Sequence, residues 1–169
     1  MRPQPSGHPP PPRPIPRAGV VELRVRYCEC DPMGVAHHSA YIPWLEVGRT
    51  ELLRASGLSY AQLEQRGLLL AVVKLEIRYR APARYDDLIA VHTHVTGGGR
   101  ARINHAYEVR RAADSAMLAV ASSTLACLDA HGKPQPLPDW LTAAAHVELR
   151  DSPDLAQLKQ PGQPDQPNR

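Results

Sequence analysis

Phenylalanine is absent from this chain of 169 residues, and cysteine occurs only three times. No apolar run approaches the length of a bilayer crossing. Each shortage excludes something. Without Phe the apolar load falls on Leu, Val and Ala, at a hydrophobic fraction ordinary for a folded domain. An odd cysteine count rules out a complete disulfide framework. Cys28 and Cys30 stand two apart on a predicted strand, so both thiols point to one face. A bridge between them would be strained, and the expectation is reduced thiols in a cytoplasmic protein. A membrane-spanning helix needs about 20 consecutive apolar residues, which the chain does not offer. The N-terminus also lacks the apolar stretch of a signal peptide. Charge imbalance is slight too. The net charge of +3 is small and dispersed, which argues against nucleic acid and suits an anionic ligand such as a nucleotide phosphate. There is no P-loop, no Gly-x-Gly-x-x-Gly fingerprint and no Gly-x-Ser-x-Gly elbow, which removes nucleotide-loop folds and serine hydrolases of the elbow type.

Proline is plentiful, and it gathers at the ends. Pro9 through Pro12 are consecutive, with Pro14 and Pro16 beyond. Such a segment favours an extended, solvated backbone and builds no core, so residues 1–18 are expected to be a disordered tail. Pro153, Pro161, Pro164 and Pro167 repeat the pattern, and residues 149–169 are expected to be a second tail. The span 19–148 is then one domain, long enough to enclose a core.

Within that span the hydrophobic period changes twice. Val21, Leu23, Val25 and Tyr27 alternate with Glu22, Arg24 and Arg26, predicting a half-buried strand from Val20 to Cys28. From Ser39 or Tyr41 the spacing turns helical through Ile42, Leu45, Arg49, Leu52 and Leu53, with Pro43 in the first turn and Gly57 as a stop. Tyr60 to Gln65 suits a short helix. Strands then dominate. Leu68 to Tyr79 places Val73, Leu75, Ile77 and Tyr79 on one face and ends before Pro82. Leu88 to Thr96 follows, Gly97-Gly98-Gly99 reads as a turn, and Arg100 to Arg111 pairs back. Met117 to Leu128, rich in Ala and Ser, reads as a closely covered strand. Asp129 to Lys133 turns, and Pro138 to Ala145 suits a closing helix. A single long helix must be covered by the sheet, so the class is α+β, an antiparallel sheet wrapped around one helix.

The densest chemistry lies between the first strand and the long helix, in Tyr27-Cys28-Glu29-Cys30-Asp31-Pro32-Met33-Gly34-Val35-Ala36-His37-His38-Ser39-Ala40-Tyr41. Asp-Pro-x-Gly is in the first place an ordinary turn, in which Asp bonds its own backbone. A carboxylate at a turn that opens a helix also faces free backbone N–H groups, which suit a carbonyl oxygen and acyl-transfer chemistry. Cys28, Cys30, Asp31, His37 and His38 resemble metal ligands on paper, but they lack the spaced pairs of zinc sites.

This segment resembles the active-site signature of hot-dog-fold acyl-CoA thioesterases of the 4-hydroxybenzoyl-CoA thioesterase type, and within them the bacterial branch associated with the Tol–Pal envelope system. Asp31, Gly34, His38, Tyr41, Glu46, Arg49, Thr50 and Glu51 fall in register with it. A second block, Lys74 through Tyr79 with Ala81-Pro82-Ala83-Arg84-Tyr85-Asp86-Asp87, matches as well. His37 replaces the usual Tyr of the branch, and Cys30 stands where Thr is common, which bears on the shape of the acyl pocket. The resemblance implies a hot-dog fold and hydrolysis of an acyl-CoA thioester, or of one carried on acyl carrier protein. It implies Asp31 as nucleophile or general base and a backbone N–H at His38 on the thioester oxygen. Glu46 becomes either a second acid or base, or a helix partner of Arg49. Tyr41 reads as core or pocket wall and not as a chemical group, and Lys74, Arg84, Arg100 and Arg102 become candidates for the coenzyme A phosphates. No metal or redox cofactor is implied. A homodimer or homotetramer with active sites at the subunit interface is expected. Two other readings remain beside it: a hot-dog hydratase acting on acyl thioesters, and a non-catalytic subunit that binds acyl-CoA or acyl carrier protein.

Overall fold

The structure, a computed structural model, describes residues 13–141. Five strands form one antiparallel sheet: β1 (Ala18–Arg24), β2 (Leu69–Tyr79), β3 (Leu88–Gly99), β4 (Arg102–Arg111) and β5 (Met117–Leu128). Their order across the sheet is β1-β3-β4-β5-β2, so β1 and β2 form its edges. The long helix α1 (Tyr41–Arg54) and the short α2 (Tyr60–Gln65) lie between β1 and β2 in the chain. The expected α+β architecture, a sheet curled around one central helix, is what the chain adopts.

The inner face of the sheet is set by strand alternation. Ile89, Val91, Thr93 and Val95 of β3 are buried toward the helix, while His92 and His94 are half-exposed on the other face. On β5, Ala119 and Ala121 are fully buried, which is the close cover that its small residues suggest. Helix α1 contributes Tyr41, Trp44, Leu45, Leu52 and Leu53 to the core. Burying each large apolar side chain is worth about 1.5–3 kcal/mol. The helix comes unusually near the sheet at Gly48, where a Cβ would lie 2.4 Å from Thr93 Oγ1 and 3.1 Å from Val91 Cγ1. Only a residue without a side chain permits that approach.

Four expectations need correction. The first strand stops at Arg24, and Tyr27–Glu29 forms a 3-10 turn instead of continuing it. The reason is local: the Glu29 carboxylate reaches back to the Arg26 N–H at 2.7 Å and takes that donor from the ladder. Tyr27 is therefore 80% exposed, edge-on to Tyr85, and Cys28 and Cys30 share no strand face. Second, Gly97–Gly99 extends β3, and the turn falls at Arg100–Ala101. A register shift between Val95 and Gly97, with Gly97 at φ 128°, absorbs the extra residue as a bulge. Third, a shift between Val72 and Lys74 leaves Val73 exposed, so of the expected face Leu75 and Ile77 pack on the core and Tyr79, half-exposed, meets Tyr41 edge-on. Fourth, packed structure reaches into the proline-rich segment: Ile15 is buried, and Arg13 N–H bonds the Ser56 carbonyl at 3.0 Å. Helical backbone begins at Asp139 as expected for a closing helix, and its remainder to Ala145 lies outside the described residues.

Two buried ionisable groups govern how this fold responds to acid. Glu29, 8% exposed, takes hydrogen bonds from Arg26 N–H, Arg26 Nη2 and Trp44 Nε1. Burial alone would raise its pKa, but these hydrogen bonds and the Arg26 charge outweigh that, and the carboxyl sits below its ordinary range. His105, on the inner face of β4, is held down to about 3 by burial and by the charge of Arg49. The native state thus keeps His105 neutral, while the unfolded chain protonates it near pH 6.5. Its contribution to stability is complete above that pH and drains away as the pH falls toward 3. Glu29 contributes in the same direction but lower, its share disappearing only as the pH drops below about 4. Urea unfolding across pH is expected to show stability declining by a few kcal/mol, on the order of the linkage cost, between about pH 7 and 4. His105→Phe should flatten that decline. Glu29→Gln should cost about 1–3 kcal/mol at neutral pH, and an unchanged unfolding midpoint would remove the brace assigned to this carboxylate.

Candidate active site

The turn that follows Glu29 is built around Asp31. Its N–H bonds the Val35 carbonyl at 3.0 Å, and its own carbonyl accepts from Gly34 N–H at 2.9 Å. Gly34 takes φ 73°, a conformation that favours glycine. Asp31 Oδ1 accepts from Met33 N–H at 2.8 Å, the side-chain turn expected of Asp-Pro-x-Gly. Among the described residues Oδ2 has no hydrogen-bond partner. The carboxylate is half-buried, with one oxygen committed to the turn and the other open.

The chain then enters the helix through a 3-10 turn, His38–Ala40. His37 N–H is tied to the Glu29 carbonyl at 2.8 Å, and Ala40 N–H bonds the His37 carbonyl at 2.9 Å. His37 Nδ1 caps the turn, accepting from Ser39 N–H at 3.4 Å and lying 2.7 Å from Ser39 Oγ. The His37 and His38 rings are 4.0 Å apart between centroids. The His38 N–H itself is engaged in no hydrogen bond among the described residues. Such an uncommitted donor at a helix start is suited to an oxyanion.

Asp31 and His38 line one cleft of about 390 Å³ together with Val35, Ala36, Tyr41, Tyr79, Arg80, Ala81 and Pro82. Its floor is aromatic. Tyr41 packs on Trp44 at 4.6 Å and meets Tyr79 edge-on at 5.0 Å. Burial raises the Tyr41 hydroxyl above its ordinary pKa, partly offset by a backbone hydrogen bond with Ala83. Burial also raises Tyr79. Both therefore stay protonated at neutral pH. The arrangement sets a carboxylate oxygen and a free amide donor against an apolar wall, which is the equipment for attack on a polarised carbonyl.

Of the residues singled out from the sequence, the fold brings together Asp31, His38 and Tyr41. Glu46 does not line the cleft. It is 61% exposed and pairs with Arg49 Nη2 at 2.9 Å, the helix pairing weighed beforehand. Arg49 is largely buried, and its charge offsets part of the rise that burial gives the Tyr60 and Tyr107 hydroxyls. Lys74 is exposed and pairs loosely with Glu76 at 3.8 Å. Arg84 and Arg102 are exposed, and Arg100 sits in the hairpin turn, where its carbonyl accepts from Leu137 N–H at 2.8 Å. None of these four cations lines the cleft, whereas Arg80 does. Sequence reasoning missed Arg80, Glu29 and Tyr79. Glu29 was visible as the acid two residues before Asp31, and Tyr79 as the end of the second matching block. Arg80 carried no local signal. Among the described residues, no three His, Cys, Asp or Glu side chains gather in a metal-binding group. No helix among the described residues is long and apolar enough to cross a membrane.

Known proteins carry the same architecture. A solved structure of a hypothetical protein, TT1821 from Thermus thermophilus, superposes with a TM-score of 0.69 at 32% identity, covering 75% of this chain and 95% of that one. A DHNA-CoA thioesterase from Staphylococcus aureus superposes with a TM-score of 0.68 at 30% identity, covering 71% and 80%. An acyl-CoA thioesterase of Haemophilus influenzae, YbgC, is 36% identical over 128 residues, which is 73% of this chain and 91% of the relative. The family model described as the thioesterase-like superfamily matches residues 25–145, from the last buried residue before the Glu29 turn to beyond β5. With that span matched and the sheet wrapped on its helix, the chain is a hot-dog-fold member of the thioesterase-like superfamily.

Proposed function

We propose that the protein hydrolyses an acyl-coenzyme A thioester to a carboxylic acid and the free thiol. The observation that carries this reading is the pairing, in one cleft, of the open Asp31 carboxylate oxygen with the uncommitted His38 N–H at the helix start. The thioester oxygen accepts from His38 N–H, which stabilises the negative charge that develops as the carbonyl is attacked. Asp31 acts in one of two ways. It attacks the carbonyl carbon, expelling the thiolate and leaving an anhydride that water opens, or it takes a proton from the water that attacks. Either route consumes one water and releases one acid and one thiol. The His38 imidazole, exposed at the rim, orients substrate or water. Tyr41 forms the acyl wall, and Glu46 serves by holding Arg49.

The names of relatives add weight to coenzyme A as the carrier, since the Haemophilus influenzae and Staphylococcus aureus proteins are both named as thioesterases of CoA substrates. Arg80, at the cleft itself, joins Lys74, Arg84 and Arg100 as a cation for the phosphates. A homodimer or homotetramer belongs to the same proposal. Edge strand β2 presents Val72 and Val73 to solvent, and a second copy pairing along it would cover both. The free thiols of Cys28, Cys30 and Cys127 suit a reducing, cytoplasmic setting.

The test is thiol release from short, long and aromatic acyl-CoAs by the wild type and by Asp31→Asn. A carboxamide is neither base nor nucleophile, so turnover is expected to fall by about 10²–10⁴-fold. An Asp31→Asn protein that kept wild-type turnover would sink the mechanism, and a wild type silent on every substrate would sink the activity.

A further inference from the structure

Tyr79 is the last residue of β2, paired in the sheet with Ala119, and its place is therefore set by the strand and not by the active-site turn. Its side chain crosses to that turn. The Tyr79 hydroxyl donates to the His38 carbonyl at 3.0 Å, joining residues 41 apart in the chain. The ring meets Tyr41 edge-on and leaves Tyr79 48% exposed. Packing against Tyr41 needs the ring alone, and phenylalanine would supply it. The hydroxyl does something separate.

What it does follows from the peptides around His38. The peptide before it carries the His38 N–H, and its carbonyl, that of His37, is held by Ala40 N–H at 2.9 Å. The peptide after it carries the His38 carbonyl, and the Tyr79 hydroxyl holds that. With the planes on both sides restrained, the rotations about the His38 Cα have little freedom, and the direction of its N–H is fixed. We propose that Tyr79 is a positioning residue: from the edge strand it grips the His38 carbonyl and so aims the His38 N–H into the cleft. The inference rests on the thioesterase reading only for its kinetic consequence. Preorganised donors contribute to catalysis because no reorganisation is needed as charge develops. A donor freed to wander loses part of that benefit, while substrate affinity, set by the ring and the cleft walls, is retained.

Tyr79→Phe separates the hydroxyl from the ring. The expected result is a kcat lowered by about 3- to 10-fold, the scale of one net hydrogen bond, with KM unchanged. Tyr79→Leu, which also removes the wall, should raise KM in addition. Amide hydrogen exchange supplies a readout independent of turnover: Ala40 N–H, bonded within the same turn, should exchange several-fold faster in Tyr79→Phe, again on the scale of one hydrogen bond. A Tyr79→Phe protein with wild-type kcat, or with wild-type Ala40 exchange, overturns the proposal. If the wild type releases no thiol from any acyl-CoA, the thioesterase reading has failed, and Ala40 exchange alone decides whether Tyr79 positions the turn.

Discussion

The buried Glu29 carboxylate is the constraint on which the site depends. Taking a carboxylate out of water costs several kcal/mol, on the order of the effective penalty per ion, unless partners replace the lost hydration. Here the partners come from two directions. Arg26 supplies its backbone N–H and its guanidinium at 2.7 Å each, and Trp44 supplies its indole N–H at 3.0 Å. Arg26 precedes the turn and Trp44 lies in the first turn of α1, so one side chain joins strand exit and helix. The Glu29 carbonyl meanwhile accepts from His37 N–H, holding the far end of the same loop. Asp31 and His38 sit between these anchor points and inherit their positions from them.

Two carboxylates stand two residues apart in this loop, and their surroundings divide the work. Glu29 takes three donors and is shut away from solvent, so it braces the loop and does not line the cleft. Asp31 is half-buried, with Oδ1 spent on Met33 N–H. Its role in the turn and the role proposed for it in chemistry are therefore compatible, because each would use a different oxygen. The turn bond fixes the rotamer, and the fixed rotamer aims the other oxygen. The same economy appears at His37, whose ring caps the 3-10 turn while its backbone ties the loop to Glu29.

Periodicity made most of the fold legible. The limits of α2 and β5 are those read from the sequence, because amphipathic spacing and turn residues act locally and agree with the tertiary structure. The motif singled out Asp31, His38 and Tyr41, which the fold brings to one cleft. What escaped was set at a distance or by a single side-chain bond. Tyr27 alternates correctly for a strand, yet one carboxylate reaching back three residues folds the segment into a turn. Gly97–Gly99 has turn composition, yet β4 supplies a ladder that a bulge can join. Lys74, Arg84 and Arg100 had the right charge, but nothing in local sequence says which cation the curvature of the sheet will bring to the cleft. The Trp44–Glu29 and Tyr79–His38 bonds span 15 and 41 residues, and no short window contains both partners of either.

The position of the cleft also rests on a feature two turns along the helix. At Gly48 the absence of a side chain lets α1 settle against Val91 and Thr93 of β3. One residue later Arg49 is largely buried, and its charge offsets part of the rise that burial gives the Tyr60 and Tyr107 hydroxyls; Tyr107 is bonded to Ser123 of β5 at 2.8 Å. The helix is thus seated on β3 near its middle, while Glu29 and Tyr79 hold its start. Any shift at Gly48 would be carried along the helix, at about 1.5 Å of rise per residue, to its start at Tyr41 about 10 Å away. The turn at His38 is therefore placed by the packing of the helix on the core as well as by the hydrogen bonds that Glu29 and Tyr79 make around it.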